Sequence, residues 1–329
     1  MTRIAINGFG RIGRALTRVL QQHDNITIVA INDLTDANTL AHLLKYDSVH
    51  GKFVGDVAST DNSIAINGKI IKVLNEKDPK KLPWSALNID VVIESTGLFL
   101  TQELAAQHIS AGAKRVILSA PPKSDGIKTV VLGINEDNIT GAEKIISNAS
   151  CTTNAAAPLI KVLHDLYHIE SAYITTVHSY TSDQTLHDSP HRDLRRARAG
   201  ALSIIPTTTG AAKAITKIFP DLEGNIGGCG IRVPVPNGSL IDISVILKED
   251  NTVESINKAF KKASETYLKG ILEYTEDPIV SVDIVGNSHS CIFDAQLTSI
   301  TGNMVKLVGW YDNEMGYSNR LVELVSRFF

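Results

Sequence analysis

The stretch from Arg3 to Asp33 restricts the fold more than any other part of the chain. Arg3 to Asn7 (RIAIN) is apolar and β-branched and predicts a buried strand. Gly8-Phe9-Gly10-Arg11-Ile12-Gly13 follows without a spacer. Arg11 to Gln22 sets Ile12, Leu16, Val19 and Leu20 at helical spacing, and Ile26 to Asn32 (ITIVAIN) predicts a second strand. Strand, glycine turn, helix and strand make one βαβ unit. Gly8 permits the tight turn, Gly10 lets the backbone approach a pyrophosphate, and Gly13 lets the helix pack close to the strand. The helix N-terminus offers unpaired N–H groups and positive dipole to phosphates. Asp33 follows Gly13 by 20 residues, where a carboxylate accepts hydrogen bonds from ribose hydroxyls. A 2′-phosphate would meet like charge there, which favours NAD over NADP, although Arg11 or a neighbouring loop could partly neutralise it. A glycine turn that merely packs tightly explains fewer of these features.

The alternation continues. Ala37 to Tyr46 and Glu103 to Ala111 predict helices; Asp90 to Glu94, Arg115 to Leu118 and Thr129 to Leu132 predict strands. At 329 residues, two domains are expected. The fold class expected is α/β: a Rossmann-type doubly wound sheet over 1–150, then an α+β catalytic domain over 151–314 with a largely antiparallel sheet. In the second part, Thr152 to Tyr167 predicts a long helix with Leu159, Val162, Leu163 and Leu166 on one stripe. Tyr173 to His178 predicts a strand, and 179–202 an extended, arginine-rich functional loop. Thr209 predicts a cap for a helix over Gly210 to Ile218, stopped by Pro220. Leu240 to Leu247 alternates like an antiparallel strand, and Asn251 with Glu254 suggests a capping box for a helix over Val253 to Lys269. Met315 to Phe329 predicts a final helix.

Several function classes fall away. The net charge of −3 gives no general attraction to nucleic acid or anionic membrane. No apolar run reaches the ~18 residues of a membrane span. The N-terminus shows no secretory h-region. Cys151, Cys229 and Cys291 are too few and too scattered for a disulfide framework, and no Cys-x-x-Cys pair suggests a metal site. A reducing cytosol suits them.

Cys151 stands apart from the other two cysteines. It lies in Ser150-Cys151-Thr152-Thr153-Asn154, among hydroxyls and an amide, at the predicted start of a helix. Helix N-terminal amides stabilise a thiolate and lower its pKa from ~8.5. Cys229, in a glycine cluster, and Cys291, opening an apolar stretch, suit small buried hydrophobes. A thiol nucleophile needs an imidazole to take up and return protons. His178, ending the strand ITTVH, is the candidate; a satisfied surface histidine is the bland alternative.

Four runs together resemble phosphorylating glyceraldehyde-3-phosphate dehydrogenase. They are Asn7 to Arg14 (NGFGRIGR), Ser147 to Asn154 (SNASCTTN), Thr207 to Lys213 (TTTGAAK) and Trp310 to Ser318 (WYDNEMGYS). The resemblance spans the chain in collinear order. It implies a cytosolic homotetramer of glycolysis or gluconeogenesis, acting on glyceraldehyde 3-phosphate and inorganic phosphate. It also implies that the C-terminal helix packs back on the nucleotide domain. To the cofactor set of Gly8, Gly10, Gly13 and Asp33 it adds Arg11, Ile12, Thr96, Ser119 and Asn313. It implies a substrate-phosphate site at Thr181, Asp183 and Arg232, with the acid orienting the arginine. It implies an attacking-phosphate site at Ser150, Thr152, Thr209, Gly210 and Arg196, while Arg192, Arg195 and Arg198 crowd that arginine. Lys77 stands where many relatives carry an arginine, and Ala155 replaces a second cysteine.

The implied chemistry is attack of Cys151 on an aldehyde to give a hemithioacetal, oxidation to a thioester with His178 as base, and phosphorolysis. The backbone N–H of Cys151 would stabilise the developing oxyanion. Erythrose-4-phosphate dehydrogenase, which hydrolyses its thioester, is the nearest rival; Thr208-Thr209-Gly210 favours phosphate attack. A non-catalytic nucleotide-binding or redox-sensing protein would leave Cys151, His178, Thr181, Thr209 and Arg232 unexplained.

Overall fold

The computed structural model describes residues 1–328. Phe329, the last residue of the expected final helix, lies outside them. The chain divides into two compact units, one holding 1–130, 136–149 and the segment from Ser318 onward, the other 131–135 and 150–317.

The first unit is built on a nine-stranded sheet. Seven strands run parallel in the order Lys128–Thr129, Ile145–Ser147, Arg115–Leu118, Val91–Glu94, Thr2–Asn7, Ile26–Asn32 and Lys69–Leu74. Ser63–Ile66 and Val57–Thr60 extend it as an antiparallel edge. Strands buried on both faces need continuous apolar runs, and Val91–Glu94 is buried throughout. The chain leaves Thr2–Asn7 in one direction to Ile26–Asn32, and the later strands stack on its other side. This reversal opens a crevice at the carboxyl ends of Thr2–Asn7 and Val91–Glu94. Helices Arg11–Val19, Ala37–Lys45 and Gln102–Ser110 accompany the sheet; the last two start at side-chain caps from Asp36 and Thr101. In the C-terminal helix, Met315–Phe328, the side chains of Leu321, Val322, Leu324 and Val325 are buried.

The second unit holds an eight-stranded, mostly antiparallel sheet. Its order is Ile205–Thr207, Ile226–Val233, Ile169–Ser179, Ser239–Leu247, Met304–Tyr311, Cys291–Asp294 and Leu272–Thr275, with Ser299–Thr301 beside Met304–Tyr311. Ser239–Leu247 buries every second residue, as a strand with one face on a core must. Helix Cys151–Tyr167 buries Leu159, Ile160, Val162 and Leu163. Leu166, expected on that stripe, is 51% exposed in the last turn. Residues 180–204 form neither helix nor named strand, and one isolated bridge joins Thr185 to Ala199.

The expected fold class holds, and several local expectations do not. The helix Val253–Glu265 is capped by Thr252 and Ser255 rather than Asn251 and Glu254, and it ends before Lys269. Thr252 has the extended backbone that a cap needs, while the Asn251 amide donates to Glu249 O. Thr129–Leu132 shrinks to a strand over Lys128–Thr129. The hairpin Ser63–Leu74 was not anticipated; it turns at Asn67 and Gly68, both at positive φ, as a two-residue turn of the primed type requires.

Candidate active site

In the first unit the glycine turn meets three separate demands. Gly8 has φ +95°, and a Cβ there would lie 2.8 Å from Thr96 N. A Cβ on Gly13 would lie 2.5 Å from Gly8 O. Around Gly10 nothing comes within 4 Å of such an atom, so the backbone is open to an approaching group. Helix Arg11–Val19 starts from Gly10 with no side-chain cap and no acid in its first turn. Its amides therefore suit an anion. Asp33 Oδ2 accepts from Phe9 N at 2.8 Å and Oδ1 from Thr35 N at 3.0 Å, which leaves each oxygen a further acceptor position. These residues fit a dinucleotide. Arg11 turns aside to Asp47 at 2.5 Å, and Ile12 is half-buried. Burial opposes the Asp47 charge, but Arg11 and the amides of His50 and Val49 hold its pKa down at about 2. Thr96 donates its N–H and hydroxyl to Glu94 Oε1, and Ser119 N donates to Glu94 O at 2.9 Å.

In the second unit the structure brings Cys151 and His178 together, with Sγ 3.5 Å from Nε2. Cys151 is the first residue of its helix, and Ser150 caps it, its Oγ accepting from Thr153 N at 3.1 Å. Ahead of this cap Ala149 is fully buried at φ +55°, a left-handed backbone that usually calls for glycine. His178 is the next-to-last residue of the long strand Ile169–Ser179, which lies beside Ile226–Val233 and so sets Arg232 opposite it. Arg232 Nη1 lies 2.5 Å from His178 Nδ1 and donates to Ser179 O at 3.0 Å. Ser179 O also lies 2.7 Å from Nδ1. The carbonyl asks for a hydrogen on Nδ1 and the guanidinium for a lone pair. With the hydrogen on Nδ1, the bare Nε2 faces the sulfur.

Charge in this pocket is set by burial and by Arg232. Burial, then the Arg232 charge, lower the His178 pKa to about 3, so the ring is neutral at pH 7. Burial also pushes the Cys151 thiol up. Arg232, the Thr152 hydroxyl and amide, and the residue's own N–H pull the other way without prevailing. The direction is opposite to the expected lowering, because loss of solvent around the sulfur outweighs the groups that favour the thiolate.

Tyr311, which the sequence alone does not single out, lines the pocket beside His178. Its buried hydroxyl lies 3.0 Å from Thr152 Oγ1 and 2.9 Å from Thr176 Oγ1, and its ring stands edge-on to His178 at 5.9 Å. It fell within the quoted Trp310 to Ser318 run, but a tyrosine on a strand reads equally well as core. Asn313 Oδ1 accepts from Ser179 Oγ at 2.9 Å and Ser239 Oγ at 2.8 Å, which leaves its Nδ2 as the outward donor.

A second cluster forms around Arg196. Its Nη1 pairs with Asp183, and its Nε donates to Thr207 Oγ1 at 2.8 Å and lies 3.6 Å from Asp193. Asp183 thus pairs with Arg196 rather than with Arg232. Thr181 sits in a turn with Gln184, whose Oε1 accepts from Thr181 N at 2.9 Å. Thr209 Oγ1 accepts from Ala211 N at 3.2 Å, and Gly210 is exposed at the start of the helix Ala211–Ile218. Arg198 pairs with Asp188 on the exposed surface, apart from this cluster.

Two family models match the chain. One describes the NAD binding domain of glyceraldehyde 3-phosphate dehydrogenase, over residues 2–102, and the other its C-terminal domain, over residues 150–313. The glyceraldehyde-3-phosphate dehydrogenase of Geobacillus stearothermophilus is 53% identical, over 98% of this chain and 97% of its own. The proteins of that name from Borreliella burgdorferi and Thermotoga maritima are each 56% identical, over 99% and 98% of both chains respectively. With two consecutive family models and relatives aligned end to end, the chain belongs to the glyceraldehyde-3-phosphate dehydrogenase family.

Proposed function

We propose that this chain oxidises glyceraldehyde 3-phosphate with NAD and delivers the acyl group to inorganic phosphate, giving 1,3-bisphosphoglycerate. The observation that carries this reading is Cys151 Sγ at 3.5 Å from a neutral His178 beside the Arg232 guanidinium. Gly8, Gly10, Arg11, Ile12, Gly13, Asp33, Thr96, Ser119 and Asn313 would hold the cofactor, and NAD supplies the hydride acceptor when bound.

Cys151 sulfur attacks the aldehyde carbon as its proton passes to His178 Nε2. The backbone N–H of Cys151, at the head of the helix, would stabilise the oxygen that gains charge. Burial and the Arg232 charge disfavour an imidazolium, so His178 passes the proton to that oxygen, and a hemithioacetal results. His178 then takes the hydroxyl proton while the carbon loses hydride, leaving a thioester on Cys151. Phosphate oxygen attacks the thioester carbon, the carbon–sulfur bond breaks, and sulfur regains its proton from His178. In this reading Thr181 and Arg232 serve the substrate phosphate, and Ser150, Thr152, Thr209, Gly210 and Arg196 the attacking one, with Asp183 holding Arg196. Arginine forks suit both dianions.

The same reading gives a cytoplasmic homotetramer. Leu186, Leu194, Leu202 and Ile204, each 70–82% exposed in the segment 180–204, support a subunit contact there. Three free cysteines suit a reducing compartment. Among the described residues no helix is long and apolar enough to cross a membrane.

Initial rates with glyceraldehyde 3-phosphate, with NAD against NADP and phosphate varied, test the proposal. Turnover should require phosphate, prefer NAD and vanish in Cys151→Ser. Phosphate-independent turnover, or an active Cys151→Ser variant, would refute it.

A further inference from the structure

Beneath the crevice of the first unit lies a fully buried carboxylate outside the chemistry above. Asn32, Asn7 and Glu94 occupy facing positions on three adjacent parallel strands, at their carboxyl ends. Glu94 Oε2 accepts from Asn7 Nδ2 at 2.6 Å and lies 3.0 Å from His108 Nε2. Trp84 Nε1 donates to His108 Nδ1 at 3.1 Å, so the histidine's hydrogen is on Nε2, facing Glu94. Glu94 Oε1 accepts from both Thr96 N and Thr96 Oγ1. Four donors thus meet the roughly four acceptor positions of one carboxylate, with Glu94 and His108 both fully buried. No such network is needed merely to fill a core, since apolar residues of the same volume pack there as well.

The network ends on both walls of the crevice. On one wall, both Thr96 donors are directed to Glu94, so toward any ligand the Thr96 oxygen acts only as an acceptor. On the other wall, Asn32 Nδ2 donates to Asn7 Oδ1 at 2.7 Å and to Glu76 O at 2.9 Å, while Asn32 Oδ1 accepts from Glu76 N at 2.9 Å. The turn leading to Lys77 is held by the same chain of bonds as the turn at Thr96. We propose that Glu94 is a positioning residue for dinucleotide binding, fixing the polarity of Thr96 and the separation of the two turns. This rests on the reading of the crevice as the NAD site.

Glu94→Gln tests it. The new amide must turn its NH2 toward either the Thr96 donors or the Asn7 and His108 donors. Neither Asn7 nor His108 can invert to accept, because Asn32 and Trp84 already donate to their other ends. Calorimetric titration with NAD is expected to show binding weakened about tenfold or more, with kcat at saturating NAD within about twofold of wild type. His108→Asn, whose amide stops short of Glu94, should weaken NAD binding as well, and His108→Gln, whose amide reaches the Nε2 position, should restore it. A folded Glu94→Gln protein that binds NAD within twofold of wild type overturns the proposal, even if its melting temperature falls. If Glu94→Gln does not fold, the His108 pair decides, and equal affinity of Asn and Gln variants overturns it. Wild type that fails to bind NAD would instead remove the cofactor reading itself.

Discussion

His178 should make the protein acid-sensitive in a window that its sequence does not announce. Burial and the Arg232 charge lower the folded-state pKa from 6.5 to about 3. In that interval the unfolded chain binds a proton that the native ring refuses, so stability rises with pH. The contribution is fully present above about pH 6.5 and is lost progressively as pH falls toward 3. At about 1.4 kcal/mol per unit, the full shift corresponds to about 5 kcal/mol, and to about 3 kcal/mol between pH 7 and pH 4.5. His178→Asn keeps a polar side chain and removes the titration. Urea unfolding at both pH values should therefore show wild type losing about 3 kcal/mol more than the variant on acidification. The imidazole C2 proton resonance of His178 should hold its neutral position down to about pH 4. A ring that titrates near 6.5, or equal acid losses in the two proteins, would refute the reasoning.

Tyr311→Phe removes a hydroxyl shared by two threonines; it should lower stability by about 1–3 kcal/mol and reduce kcat severalfold, as seen in thermal melts and steady-state rates. Unchanged kcat would leave Tyr311 a core residue only. Asp183→Asn releases Arg196 and should raise the KM for phosphate severalfold with the KM for aldehyde within about twofold. The reverse split would assign Asp183 to the substrate-phosphate side.

What was legible in the sequence depended on whether near neighbours or distant ones decide a property. The βαβ unit and its glycines were readable because each obeys a local rule: Gly8 needs positive φ, and Gly13 has no room for a side chain. Cys151 was readable as a helix-start residue because Ser150 caps within the same turn. Its pKa was not, because the sulfur's burial and Arg232 arrive from the rest of the fold. Arg196 could not be separated from Arg192, Arg195 and Arg198 by spacing; its contacts with Asp183 and Thr207 separate it. The hairpin at Asn67-Gly68 had a local signal, but its strands alternate weakly, and Ile70 is 75% exposed, which disguised them. Glu94 looked like the polar end of an apolar run, and its donors come from another strand, a helix and the turn that follows Glu94 itself.

Ala149 carries a last implication. An alanine at φ +55° costs roughly 1–2 kcal/mol and persists only where surrounding structure imposes it. Ser147 Oγ, which accepts from Ala149 N at 3.0 Å, helps impose it from the strand Ile145–Ser147. The bend ahead of Cys151 is therefore held by the strand that precedes it and not by the helix that follows. A peptide cut from Ser150 to Tyr167 would keep the capping hydroxyl but leave behind the strand residue that holds this bend, and the left-handed step into the helix would be lost with it.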